Sequence, residues 1–157
     1  MAERGWIVEG WQVPQAPGPM RLEGRFVRLE PLGADHAAAL HAANQADAAI
    51  WDYLPYGPFD SEADYAAWLA RMAAGRDPLF FALVDQATGQ PGGVASFLRI
   101  TPESGSIEVG HICLAPVLQR TAAASEAIFL MAEFGGTILK TSLSDDAEKE
   151  LAGELGN

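Results

Sequence analysis

Residues 107–127 (IEVGHICLAPVLQRTAAASEA) hold the side chains and the backbone pattern best suited to chemistry in this chain. An extended run from Ile107 to Leu114 is closed by Pro116, because proline cannot donate to a ladder. Gln119, Arg120 and Thr121 then lead into Ala122, Ala123 and Ala124, and an apolar pattern at Ala124, Ile128, Met131 and Ala132 has helical spacing. Small side chains at a helix start let its unpaired N–H groups approach an anion closely. The positive end of the helix dipole favours a phosphate at that place. Arg120 adds a mobile cation at the rim. The same strand, loop and helix also make an ordinary crossover with no ligand, and the stretch alone leaves both readings open.

The elements around this stretch must position it. Strand alternation puts Ile107, Val109, His111 and Cys113 on one side, and Glu108, Gly110, Ile112 and Leu114 on the other. A run that is apolar on much of both faces suits a central strand. Two more strands precede it: residues 79–85 (LFFALVD), a buried run, and residues 92–101 (GGVASFLRIT). Thr88-Gly89-Gln90-Pro91 reads as the hairpin turn between them, and residues 102–105 as a second turn. Residues 22–31 read as a strand opened by a turn at Glu23-Gly24, and residues 33–47 as an alanine-rich helix that Asp35 can cap. A helical turn over residues 50–54 runs into Pro55, Gly57 and Pro58. Asp60 or Ser61 then caps a helix reaching Gly75, with Tyr65, Trp68, Leu69 and Met72 on one face. Residues 1–20 form a proline-rich extended lead-in whose Trp6 and Trp11 cover an apolar patch of the domain or of a partner chain.

Composition narrows the function classes. A chain of 157 residues, 49% hydrophobic and 20% charged, is one ordinary domain with a real core. Its net charge of −11 argues against nucleic acid or an anionic membrane as the main partner. There is no run of eighteen apolar residues and no apolar signal core at the N-terminus, which leaves the cytoplasm as the default location. The single cysteine, Cys113, excludes an internal disulfide and a cysteine-rich metal site. It reads as a small core residue, not a nucleophile. His36 and His41 are five apart on one helix and make a poor metal pair, so no metal is expected.

The stretch 107–127 resembles the acetyl-CoA-binding motif of the GCN5-related N-acetyltransferases (GNAT), in the branch that includes the ribosomal-protein N-acetyltransferases. The turn Pro116-Val117-Leu118-Gln119 and the loop Gln119-Arg120-Thr121-Ala122-Ala123-Ala124 carry the likeness, with alanines where the strictest form has glycines. Residues 50–61 (IWDYLPYGPFDS) and 22–32 (LEGRFVRLEPL) are similar to two further segments of that branch. The resemblance spans about residues 21–134 and implies an α/β fold. The expected order is β-α-α-β-β-β-α, with a mixed, mostly antiparallel sheet and helices on both faces. It implies acetyl-CoA as co-substrate, with Ile112, Cys113 and Leu114 holding the pantetheine and residues 119–124 the pyrophosphate. It implies an acceptor groove lined by Trp51, Tyr53, Tyr56 and Phe59, residues that could equally pack the short helices on the sheet. Direct attack by an amine needs a base. Glu108 is the first candidate, if partial burial raises its pKa, and His111 is the second. The acceptor would be a protein N-terminus or a small amine, and nothing in the sequence excludes a homodimer.

The last residues depart from that pattern. Residues 1–134 contain eight arginines and no lysine, whereas residues 135–157 hold both lysines, no arginine and no aromatic side chain. Gly135-Gly136 read as a loose lead-in, residues 137–141 as a short strand, and the rest as a short helix through Leu155. The family's further strand and helix have no counterpart here, and no residue after Phe134 is a credible general acid. An acetyltransferase truncated at about residue 134 and impaired is therefore one expectation. A non-catalytic CoA-binding or partner-dependent remnant is the other.

Overall fold

The computed structural model describes residues 9–140, with side chains through residue 138. Five strands form one antiparallel sheet in sequence order: β1 (Leu22–Glu23), β2 (Val27–Pro31), β3 (Leu79–Asp85), β4 (Pro91–Thr101) and β5 (Ser106–Leu114). The helices are α1 (Ala37–Asn44), α2 (Glu62–Ala73) and α3 (Ala122–Lys140). This is the expected order with helices on both faces, but it differs at two places. The single strand expected over residues 22–31 is a hairpin of β1 and β2. β3 is central, and β5 pairs with β4 alone among the described residues. The expectation of a central strand rested on apolar residues on both faces, but Glu108 and Ile112 are exposed.

Alternation along β3 explains the two layers of core. Leu79, Phe81 and Leu83 join Val27, Leu29, Ala95 and Phe97 under α3, whose Ala123, Ala127 and Met131 close that layer. Phe80 and Ala82 face the other way, into Leu40, Trp51, Tyr65, Trp68, Leu69, Val94 and Cys113. Ser61 caps α2 by accepting the Asp64 N–H at 3.1 Å, as expected. Asp35 does not cap α1. It lies inside a 3-10 turn over Ala34–His36, and its carboxylate is 3.5 Å from His36 Nδ1. His36 is a satisfied structural histidine: Nδ1 accepts from the Gly33 N–H at 3.1 Å, and Nε2 lies 3.2 Å from Glu30.

Residues 137–140 belong to α3 and form no strand, and Gly135-Gly136 are helical and not a lead-in. A Cβ on Gly135 would stand 3.4 Å from Ile107 Cγ2, an ordinary contact, so α3 packs on β5 at this position. The expected helix through Leu155 lies outside the described residues. Pro14, Gln15, Ala16 and Pro17 line a small apolar cavity with Ile100, Ile107 and Gly135, so this part of the lead-in lies on the domain itself. No described helix is long and apolar enough to cross a membrane.

Candidate active site

Two bulges shape the site. Between the pairs Val94↔Cys113 and Ser96↔Gly110, β5 takes one residue more than β4. His111 sits there with φ 49°, in the left-handed region. Between Leu98↔Glu108 and Thr101↔Ser106 it is β4 that takes one more, and Arg99 sits there with φ 48°. Left-handed backbone costs a non-glycine residue about 1–2 kcal/mol, and such strain gathers at functional sites.

The first bulge corrects the alternation read from sequence. His111 was expected on the face opposite Glu108, yet the extra residue turns its ring onto the α1/α2 face. There it lies 5.6 Å from the Tyr56 ring and 5.2 Å from Phe80. Glu108 is on the same face, one carboxylate oxygen 3.7 Å from where a Cβ of Gly110 would stand. The two candidate bases thus share one surface. Burial pushes the His111 pKa below the ordinary histidine value, and the nearby Glu108 carboxylate opposes that only in part. Its imidazole is therefore neutral near pH 7. Glu108 is not in the partly buried setting expected of it. Its side chain is 47% exposed, and Oε2 accepts from Arg99 Nη1 at 2.8 Å.

The aromatic residues divide. Trp51 is buried in the core, edge-on to Phe59 at 5.5 Å and to Tyr56 at 6.2 Å. Tyr56 and Phe59 are half-buried against Trp68, and of the two only Tyr56 lies against His111. Tyr53 is 98% exposed and stands apart from this group. The Tyr56 hydroxyl is buried with no hydrogen-bond partner among the described residues, and burial raises its pKa, so it stays protonated. Cys113 is buried in the core and its thiol is pushed up to about 12, which removes it as a nucleophile.

Beyond β5 the chain builds the helix start from its own side chains. Gln119 donates from its side chain to the Leu114 carbonyl at 2.9 Å, and its N–H goes to Ala115 at 3.2 Å. Thr121 Oγ1 donates to Leu118 at 2.7 Å and accepts the Ala124 N–H at 3.1 Å. The amides of Gln119 and Ala124 are thereby engaged. Those of Arg120, Thr121, Ala122 and Ala123 have no partner among the described residues. The one left-handed position is Arg120, with φ 57°, and none of the three alanines needs that conformation. The Arg120 side chain is exposed and forms no ion pair with a described residue. Thr121, Ala122 and Ala123 also line an open cleft of about 370 Å³ with Arg25, Phe26 and Gln86. Four free amides, small side chains and an unpaired guanidinium fit a pyrophosphate. Among the described residues no cluster of side chains suits a metal.

Two contributors were not legible in sequence. Arg99 appeared as an ordinary strand residue, and only its opposite charge to Glu108 on the next strand hinted at a pair. Glu126 accepts three backbone N–H groups, from Arg25 at 2.9 Å, Phe26 at 2.6 Å and Val27 at 2.9 Å. It thereby ties the β1–β2 turn to the first turns of α3. Those bonds hold its pKa below the ordinary carboxylate value against the opposing effect of burial.

Comparison with known proteins adds the following. The family described as acetyltransferase (GNAT) domain matches residues 27–148. The chain is similar to the crystal structure of a GCN5-related N-acetyltransferase from Brucella melitensis, at 36% identity and a TM-score of 0.81. That match covers 83% of this chain and 61% of the other, so this chain spans less than two thirds of the Brucella protein's length. A probable acetyltransferase of the GNAT family from Chromobacterium violaceum ATCC 12472 is similar at 31% identity and a TM-score of 0.79, over 88% of this chain and 70% of its own. RimL, a ribosomal L7/L12 α-N-protein acetyltransferase, shares the fold alone, at 14% identity and a TM-score of 0.65, over 92% of this chain and 84% of its own. None of the curated proteins matches the sequence.

Proposed function

This chain belongs to the acetyltransferase (GNAT) domain family, and from that premise we propose that it moves an acetyl group from acetyl-CoA to a primary amine, either a protein N-terminus or a small amine. One observation carries the reading. A single strand and the loop after it place two proton acceptors, Glu108 and His111, and four free amides, those of residues 120–123, in continuous sequence. Bound acetyl-CoA supplies an activated thioester. The chain's own contribution is to hold its pyrophosphate at residues 120–123 and its pantetheine along Ile112, Cys113 and Leu114. Every other amide of those strand residues faces the open edge of β5. Neutral His111 takes a proton from the acceptor amine, and Glu108 attracts the ammonium form. The outer edges of Tyr56 and Phe59 flank the acceptor.

Among the described residues β5 has a strand on one side only, and this bears on rate. A thioester held on one side only is positioned poorly, and about 1 Å of error can remove a hundredfold. Weak turnover by the 157-residue chain is therefore expected, and with it the second reading, a CoA-binding module completed by a partner such as a second copy. The cytoplasm, where acetyl-CoA is at hand, suits either. Free-thiol release from acetyl-CoA across a panel of amines and N-terminal peptides tests the proposal. Turnover that His111→Gln removes supports it. CoA binding without thiol release for any acceptor selects the second reading.

A further inference from the structure

The bulge on β4 has the same form as the one that presents His111, and it presents Arg99. A regular strand would alternate Leu98 and Arg99 across the sheet. The extra residue instead brings the Arg99 guanidinium onto the α1/α2 face, 2.8 Å from Glu108. The distortion is pinned from a separate loop, since Asp77 Oδ2 accepts the Ile100 N–H at 3.0 Å. A surface ion pair contributes little on its own, and a left-handed arginine costs more than such a pair returns. The contact with Glu108 uses one nitrogen of a planar fork with five N–H donors, and the side chain is 78% exposed, so the rest of the fork is open to a ligand. Glu108, where an incoming ammonium would dock, is its immediate neighbour. An acceptor amine seated at Glu108 would therefore carry its nearest substituents over the guanidinium.

We propose that Arg99 is a specificity-determining residue that selects acceptors carrying a carboxylate close to the amine. Glu108 receives the ammonium and Arg99 the acid group, in the two-point manner that planar guanidinium and carboxylate groups favour. The net charge of −11 repels an acidic acceptor at a distance, so taking one requires a local cation. Two sources share this chemistry: a free α-amino acid, and a peptide whose first residue is aspartate or glutamate.

The inference rests on the proposed acceptor groove but is tested by binding, so that it can fail separately from catalysis. Full-length chain saturated with CoA is titrated with alanine against alaninamide, and with tripeptide amides beginning Asp against Asn, following backbone amide shifts of β4 and β5 by NMR. The acid member of at least one pair is expected to bind about tenfold tighter, with Arg99→Ala removing the difference and Arg99→Lys restoring part of it. Which pair responds identifies the source. An equal loss for acid and amide in Arg99→Ala, no preference in the wild type, or no acceptor binding at all overturns the proposal. Thiol release with no acid preference leaves acetyl transfer standing and this inference refuted. An acid preference with no thiol release does the reverse. The thermal midpoint of Arg99→Ala, expected close to the wild-type value because alanine carries the same left-handed penalty and a surface ion pair contributes little, separates misfolding from lost recognition.

Discussion

Replacing Arg120 by glycine separates what this residue does for the fold from what it does for a ligand. With φ 57° it carries the left-handed penalty of a non-glycine residue, about 1–2 kcal/mol, and no ion pair with a described residue offsets it. Glycine removes that penalty but adds about 0.5–1 kcal/mol of entropy to the unfolded chain. The net expectation is a gain of about 0–1.5 kcal/mol, and for a domain of this size a midpoint up to about 6 °C higher. Affinity should move the other way. A charge-assisted hydrogen bond to phosphate contributes about 1.5–3 kcal/mol, so Arg120→Gly should weaken CoA binding roughly tenfold to a hundredfold. Arg120→Ala should lose the same affinity without gaining the stability. Thermal unfolding and calorimetry with CoA on the three proteins read both quantities. A glycine variant that is less stable refutes the strain reasoning. One that binds CoA as tightly as the wild type removes Arg120 from the site.

Other outcomes follow from named contacts. The His111 ring should titrate below the ordinary histidine value of 6.5 when followed by NMR, because burial opposes its charge. The stability it contributes by staying neutral is complete above that value and fades as pH falls toward the lowered pKa; a midpoint above 6.5 contradicts the burial seen here. Glu126→Gln should lower stability at pH 7 by no more than about 1 kcal/mol, since solvent screens the group. The Glu126 carboxyl is depressed in the folded state, so its contribution is present above 4.5 and lost as pH falls through the lowered value. Unfolding curves for the two proteins should therefore converge in acid, and a gap that persists once the Glu126 carboxyl is seen to be protonated would sink this. Gly24→Ala should destabilise by a related route, because its Cβ would collide with Glu126 Oε2 and crowd the Val27 carbonyl oxygen; an unchanged melting temperature would show that the turn accommodates both.

Much of this was legible in residue pattern. The continuous apolar run of Leu79–Asp85, the glycine-bearing turns and the alanine-led helix marked the three strands before α3, because each signal acts over a few neighbouring residues. What escaped was long-range or irregular. Nothing local marks His111 or Arg99 as left-handed, and a bulge shows only when two strands are laid against each other. The error at His111 came from assuming an unbroken period of two. Residues 137–140 read as a strand because Ile138 and Leu139 follow two glycines, but packing of α3 on β5 carried the helix through them. Ser61 was found as a cap because its bond spans three residues, and Glu126 was missed because its partners lie about a hundred positions away.

The central claim is that the start of α3 is a phosphate cradle for acetyl-CoA. Calorimetry of acetyl-CoA with the full chain and with Ala122→Asp tests it most directly. The substitution sets a carboxylate among the free amides of residues 120–123, at an exposed position where an aspartate at a helix start does not harm folding. The expected result is one saturable site in the wild type, weakened by raised salt and lost in Ala122→Asp at an unchanged melting temperature. No heat of binding in the wild type, or equal binding by the two proteins, would contradict the claim.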